Sequence, residues 1–168
     1  MASGDAFVLS AVIVGAGTAS VVDVIHRRIP NAISFATAAA GVTLAATGAS
    51  GVTVTSSLVG LALGCLLMLP GHVLGATGAG DVKLFAAAGA IIGAGQVVEA
   101  FLCVAIVGGV FAAGVAWWRG RFTRTLVYMG QLCGQPVRAR AAIESPGEHN
   151  RFPYGPAIAV GCVLAVLL

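Results

Sequence analysis

The sequence predicts an all-α membrane protein with about six transmembrane helices and both termini on the extracytoplasmic side. Of its 168 residues, 58% are hydrophobic and only 9% are charged, whereas a soluble domain usually carries about 25% charged residues. Its apolar runs approach or exceed the length that crosses a bilayer. A soluble chain of this composition would have too little polar surface to cover its apolar residues, so we expect a lipid bilayer to surround it.

Six apolar runs are predicted to form the helices of a single domain over residues 1–168. Residues 84–118 would make one helix about 52 Å long, although a bilayer core is only about 30 Å thick. We therefore predict a break near Gly93–Gln96 that separates a short fourth helix from a longer fifth. The other four runs are continuous: Ala6–Val22, Ala32–Thr47, Val52–Leu69 and Tyr154–Leu168.

The nine lysines and arginines predict the orientation of the helices. Arg27 and Arg28 lie between the first two helices, Lys83 lies between the third and fourth, and the other six lie in the loop 119–152. The loops on the opposite side have none. Because cytoplasmic loops are enriched in basic residues, all nine are placed in the cytoplasm and both termini outside. The net charge of +3 is too small to indicate a nucleic-acid partner.

Two carboxylates are predicted to meet at the cytoplasmic edge of the membrane. Asp23 follows the first apolar run, and Asp81 opens the fourth helix within Gly78-Ala79-Gly80-Asp81-Val82-Lys83. Charged side chains at a membrane are costly and usually functional. Two nearby carboxyl groups share a proton, and such a pair can activate water against a carbonyl carbon without a metal ion. We therefore predict that Asp23 and Asp81 form a catalytic pair.

The residues around Asp81 admit more than one role. Gly78 and Gly80 are expected to allow positive φ angles and the close approach of a peptide substrate. Asp81 alone could instead be a helix cap, and Asp23 alone could be a helix-terminal charge. Lys83 could be a basic residue of a cytoplasmic loop, could bias the ionisation of Asp81, or could hold an acidic group of the substrate.

Three stretches resemble the motifs of the type IV prepilin peptidases, which are membrane aspartic leader peptidases of the GxGD class. They are Asp23 with Arg28-Ile29-Pro30-Asn31, the G-x-G-D-x-K stretch at residues 78–83, and Pro153-Tyr154-Gly155-Pro156. The resemblance implies that Asp23 and Asp81 cut a short basic leader from pilin-like precursors at the cytoplasmic face of a bacterial inner membrane. It also implies a supporting or substrate-binding role for Pro30, Asn31, Gly78, Gly80, Lys83, Pro153, Gly155 and Pro156.

The short connection after Asp23 is similar to that of the peptidases of tight-adherence (Flp-type) pilus systems. Longer family members carry paired cysteines there that bind zinc, and they also N-methylate the new pilin terminus. Here eight residues separate Asp23 from Ala32, and none is cysteine. The resemblance therefore implies a Flp-type or related prepilin substrate, no metal or other cofactor, and no methyl transfer.

Two other classes of function stay open. A small transporter could use Asp23 and Asp81 as a proton or cation site, although such sites usually lie near the bilayer midplane between inverted repeats, and no repeat is visible. A non-catalytic membrane subunit of a secretion system could use both aspartates as structural caps. Presenilin-like proteases also carry G-x-G-D, but Pro153–Pro156 and Ile29-Pro30-Asn31 favour the pilin branch.

Overall fold

The computed structural model describes residues 3–26, 28–74, 77–118 and 154–168. These residues form six helices and no strand, and each helix coincides with one of the predicted apolar runs. The predicted all-helical class is confirmed. The helices are α1 (Ser3–His26), α2 (Asn31–Ala46), α3 (Val54–Val73), α4 (Ala79–Ile92), α5 (Val97–Trp118) and α6 (Gly155–Leu167). The predicted basic loop 119–152 and Pro153 lie outside the described residues.

Three of the described helices are long and apolar enough to cross a membrane. They contain the segments Gly4–His26, Val54–Val73 and Val97–Val115. Helices α2 and α6 are apolar but have only 16 and 13 residues, and α4 has 14. The membrane character of the chain is therefore supported, while the count of six spans and the position of the termini stay predictions.

The helix ends follow from local chemistry. Pro30 precedes α2 with φ −61° and ψ 136°, an extended conformation that the proline ring allows but that a helix cannot continue. At the start of α3, Thr53 accepts a hydrogen bond from the Ser56 N–H, at 3.1 Å, and so caps the helix. Helix α4 ends at Gly93, whose φ of 85° favours glycine. The predicted break near Gly93–Gln96 is thus confirmed.

The helices pack as two groups of three. Helix α4 packs mainly on α2 and α3, and these three helices form the α4 triad. Helix α6 packs mainly on α1 and α5, and these form the α6 triad. Residues 84–92 of α4 are all buried. Asp23 therefore belongs to the α6 triad, and Asp81 belongs to the α4 triad.

Helices α3 and α4 touch through their main chains. A Cβ atom on Gly60 would overlap the main chain of Gly89, and the reverse also holds. Beside this contact the fully buried Ser57 donates a hydrogen bond to the Ala90 carbonyl oxygen at 2.6 Å. Small residues and buried hydroxyl groups are the usual means by which helices associate in lipid. This contact fixes α4 firmly on α3.

The described connections lie at two opposite ends of the bundle. At one end, the Ala94 N–H donates to the Ser56 carbonyl oxygen at 3.0 Å, and Gly4 lies against the main chain of Ser50. At the other end, α1 finishes and α2, α4 and α6 begin. Arg28 and Lys83 are both at this second end and both exposed. The described basic residues therefore share one end, as their distribution in the sequence predicts.

Candidate active site

Asp23 is a buried carboxylate in the last turn of α1. Only 7% of the residue is exposed, and its Oδ2 accepts a hydrogen bond from the main-chain N–H of Gly155 at 3.1 Å. Gly155 is the first residue of α6, where main-chain N–H groups have no partner within the helix. The first and third sequence motifs are therefore joined by a direct contact between α1 and α6.

Asp81 is the third residue of α4 and is partly buried. Its Oδ2 accepts a hydrogen bond from the Gly78 N–H at 2.9 Å, which is the bond that an acidic residue at this position of a helix commonly makes. Asp81 thus makes the cap contact that its position in the sequence allows, which does not decide between the two roles. This bond occupies one carboxylate oxygen, so the same residue can also take part in catalysis.

The two aspartates lie at the same end of the bundle. They lie close enough for their charges to interact, although they come from different triads. Tyr154, directly before α6, is also close enough to interact with the Asp81 charge. The structure therefore brings the described parts of all three motifs to one end of the bundle. Tyr154 is not among the predicted site residues, although the aromatic position of the third motif gave a signal for it.

The positive φ angles expected at Gly78 and Gly80 are wrong. Gly78 precedes α4 with φ −75° and ψ 152°, and Gly80 is already helical. A Cβ atom on Gly80 would lie 3.2 Å from the Cβ of Ile29. The missing side chain thus lets the connection between α1 and α2 approach α4. Among the described glycines, positive φ angles occur at Gly48, Gly51 and Gly93.

Lys83 joins the start of α4 to the start of α2. Its Nζ donates a hydrogen bond to Asn31 Oδ1 at 3.0 Å, and both residues are exposed. The carbonyl oxygen of Pro30, the residue before Asn31, accepts a hydrogen bond from the Ile33 N–H at 3.1 Å. The Lys83–Asn31 hydrogen bond thus links α4 to α2 within the α4 triad, a contact that the sequence did not indicate.

The Lys83–Asn31 contact is expected to make only a modest contribution. We expect Lys83→Met and Asn31→Ala each to lower kcat/KM for the leader cleavage that the sequence motifs suggest by less than about tenfold, because exposed polar pairs contribute about 1 kcal/mol or less. A double-mutant cycle on cleavage rate and thermal stability would measure the coupling. Arg28→Met, at the same end of the bundle, is the control. A loss in Lys83→Met alone as large as that of a catalytic variant would instead indicate direct contact with the substrate.

The GxGD stretch is also held from the α3 side. The Thr77 N–H donates to the Gly71 carbonyl oxygen at 3.2 Å, and His72 Nδ1 donates to the Thr77 carbonyl oxygen at 3.1 Å. Both bonds return the chain before Gly78 onto the last turn of α3. Helix α4 therefore starts from a connection that is tied to its neighbour in the same triad.

The fold and the site define a helical membrane protein that carries a pair of interacting carboxylates. A model of the type IV leader peptidase family matches residues 7–113, which include both Asp23 and Asp81. The match covers more than half of the chain, and the protein therefore belongs to the type IV leader peptidase family. The Tyr154-Gly155-Pro156 stretch lies outside the matched residues. Searches among curated proteins and among solved structures gave no match.

Proposed function

We propose that this protein is an aspartic endopeptidase that removes the short basic leader from pilin-like precursors at the cytoplasmic face of the membrane. One observation supports this proposal above the others: Asp23 and Asp81, from separate triads, lie within interaction distance at the same end of the bundle. Each has one oxygen held by a main-chain N–H. This arrangement presents two carboxyl groups to one reacting bond.

The proposed reaction is a hydrolysis catalysed by general acid and base. An ionised carboxylate takes a proton from water while the water oxygen attacks the carbonyl carbon of the scissile peptide bond. The protonated carboxyl group donates a hydrogen bond to the carbonyl oxygen, which gains negative charge. The tetrahedral intermediate then breaks its C–N bond, and the leaving nitrogen receives a proton from the pair. One water molecule is consumed, and one carboxylate and one amine are formed.

The proposed substrate is a prepilin of the Flp type or a related pilin, embedded in the bilayer by its apolar segment. The basic leader would stay in the cytoplasm for the same reason that basic loops do. The exposed Arg28 and Lys83 at the site end carry positive charge, so the leader's own charges are expected to remain in solvent. Methyl transfer is not part of the proposal, because the connection after Asp23 has no cysteine pair.

The proposal is tested by cleavage of leader-bearing pilin precursors with the purified protein in lipid nanodiscs. We expect two fragments, a free leader and a shortened pilin. In H₂¹⁸O, one ¹⁸O atom should enter the new carboxylate of the leader. Mass spectrometry identifies the bond and the isotope together. A protein prepared in the same way with Asp81→Asn is the control, and equal cleavage by that control would contradict the proposal.

The proposed orientation puts the site end of the bundle in the cytoplasm of a bacterial inner membrane. Single cysteines at Gly95 and His26, in a background without the four native cysteines, test it. Both positions are exposed, and a Cβ atom at Gly95 meets nothing within 4 Å. We expect a membrane-impermeant thiol reagent to label Gly95→Cys in intact cells and His26→Cys only after lysis. The reverse labelling pattern would mean that the site end of the bundle faces the extracytoplasmic side.

A further inference from the structure

We infer that Gly155 is a positioning residue whose main-chain N–H holds the Asp23 carboxylate in the orientation in which it acts on the reacting bond. This inference rests on the proposed peptidase function and deepens it. It makes the start of α6 a third part of the catalytic centre, beside the ends of α1 and α4.

Asp23 needs a hydrogen-bond partner because it is buried at the end of its own helix. It is 7% exposed, and a buried carboxylate without partners is strongly destabilised. It also lies in the last turn of α1, where the dipole of its own helix repels an anion. The N-terminus of α6 has the opposite polarity, and the Gly155 N–H donates directly to Oδ2 at 3.1 Å. Hydrogen bonds to charged groups are among the stronger ones in proteins.

The start of α6 is built so that this N–H reaches Asp23. The side chain of Tyr154 does not cap α6. Pro156, which follows Gly155, has no main-chain N–H to donate. A Cβ atom on Gly155 would lie 3.0 Å from Asp23 Oδ2 and 3.2 Å from the Cα of Ser20. A larger residue at this position would therefore push α6 or Asp23 aside by a few tenths of an ångström. Asp23 accepts the N–H that the side chain of Tyr154 does not cap.

The start of α6 is also near the other aspartate. Tyr154 is close enough to interact with the Asp81 charge, while the Gly155 N–H donates to Asp23. By contrast, the hydrogen bond from Gly78 to Asp81 is local to the start of α4. It does not depend on how the triads are arranged, so it cannot replace the function of Gly155.

The test removes only the main-chain N–H of Gly155. Replacing Gly155 by glycolic acid during cell-free synthesis of the full chain into nanodiscs turns the Tyr154–Gly155 peptide bond into an ester. We expect kcat for leader cleavage to fall at least about tenfold with KM within twofold. The loss should fall on kcat because the missing hydrogen bond orients a group that acts in the chemical step. Asp81 and Tyr154, the titratable groups facing Asp23 from α4 and from the start of α6, are unchanged.

The matched control is an ester at Ala157, made with lactic acid, which removes another N–H from the first turn of α6. It should keep the wild-type kcat. A second comparison uses Gly155→Ala and Gly161→Ala. Both crowd α6, but Gly161 contacts Val104 of α5 and lies away from Asp23. Per folded molecule, only Gly155→Ala should lower kcat.

Two outcomes would overturn the inference. The first is a wild-type kcat for the ester at Gly155. The second is an equal loss of kcat for the esters at Gly155 and Ala157, which would mean that the Gly155 N–H has no particular role in orienting Asp23. Neither outcome touches the proposed function, which fails only if the aspartate variants still cleave.

Discussion

Replacing either Asp23 or Asp81 by asparagine is expected to lower the rate of leader cleavage by at least about 10³-fold, since general acid–base catalysis contributes up to about 10⁴. Replacing both should cost no more than replacing one, because residues that act as a unit lose their effect together. Asparagine keeps the shape of the side chain and can still accept the N–H of Gly155 or Gly78. Initial rates per folded molecule, normalised by size-exclusion chromatography, measure the effect.

A matched control for charge removal is Glu99→Gln. Glu99 is an exposed carboxylate in the first turn of α5, at the end of the bundle opposite the site. We expect this variant to cleave at the wild-type rate. If Asp23→Asn or Asp81→Asn cleaved as fast as Glu99→Gln, the pair would not be catalytic, and a transporter or a non-catalytic subunit would become the better interpretation.

Gly60→Val is expected to have the largest effect on stability, a loss of about 3 kcal/mol or more. A valine side chain at this position must enter space occupied by the main chain of Gly89, and main chain cannot move aside as a flexible side chain can. Overpacking of this kind costs about 1–3 kcal/mol even where side chains can adjust. Helices α3 and α4 would separate, and Asp81 would move with α4. Thermal unfolding in detergent and limited proteolysis would report the loss, together with cleavage activity.

The control for Gly60→Val is Gly17→Val in α1. A Cβ atom on Gly17 meets nothing within 4 Å among the described residues, so the same change of residue type adds no clash there. We expect Gly17→Val to unfold close to the wild-type temperature. Equal stability of the two variants would mean that α3 and α4 are not packed through their main chains.

The helices were predictable because apolar runs of fixed length have few alternatives in a bilayer. The break at Gly93 followed from length alone, since the run from 84 to 118 is too long for one span. The positive φ angle of Gly93 in the structure explains why the helix breaks there. The grouping into two triads was not predictable, because the order of helices along the chain does not say which of them pack together.

The sequence pointed to candidate site residues but not to the contacts that they make. Asp23 and Asp81 stood out because carboxylates are rare in apolar sequence. The bond from Gly155 to Asp23 left no such signal, since a main-chain N–H is present at nearly every residue. The sequence also suggested a positive φ angle at Gly80. In the structure, the missing side chain of Gly80 instead leaves room for Ile29.

The short helices have a consequence for the lipid around the site. At 1.5 Å per residue, α2, α4 and α6 are about 24, 21 and 20 Å long, well short of a hydrocarbon core of about 30 Å. Helix α5 passes Tyr154 at Gly108 and continues for ten more residues, or about 15 Å, to the exposed Trp118. Such hydrophobic mismatch is relieved by local thinning of the bilayer. We expect the headgroup layer to lie closer to the bilayer centre near Asp23 and Asp81. Bulk water would then reach the scissile bond, which lies at the edge of the substrate's apolar segment.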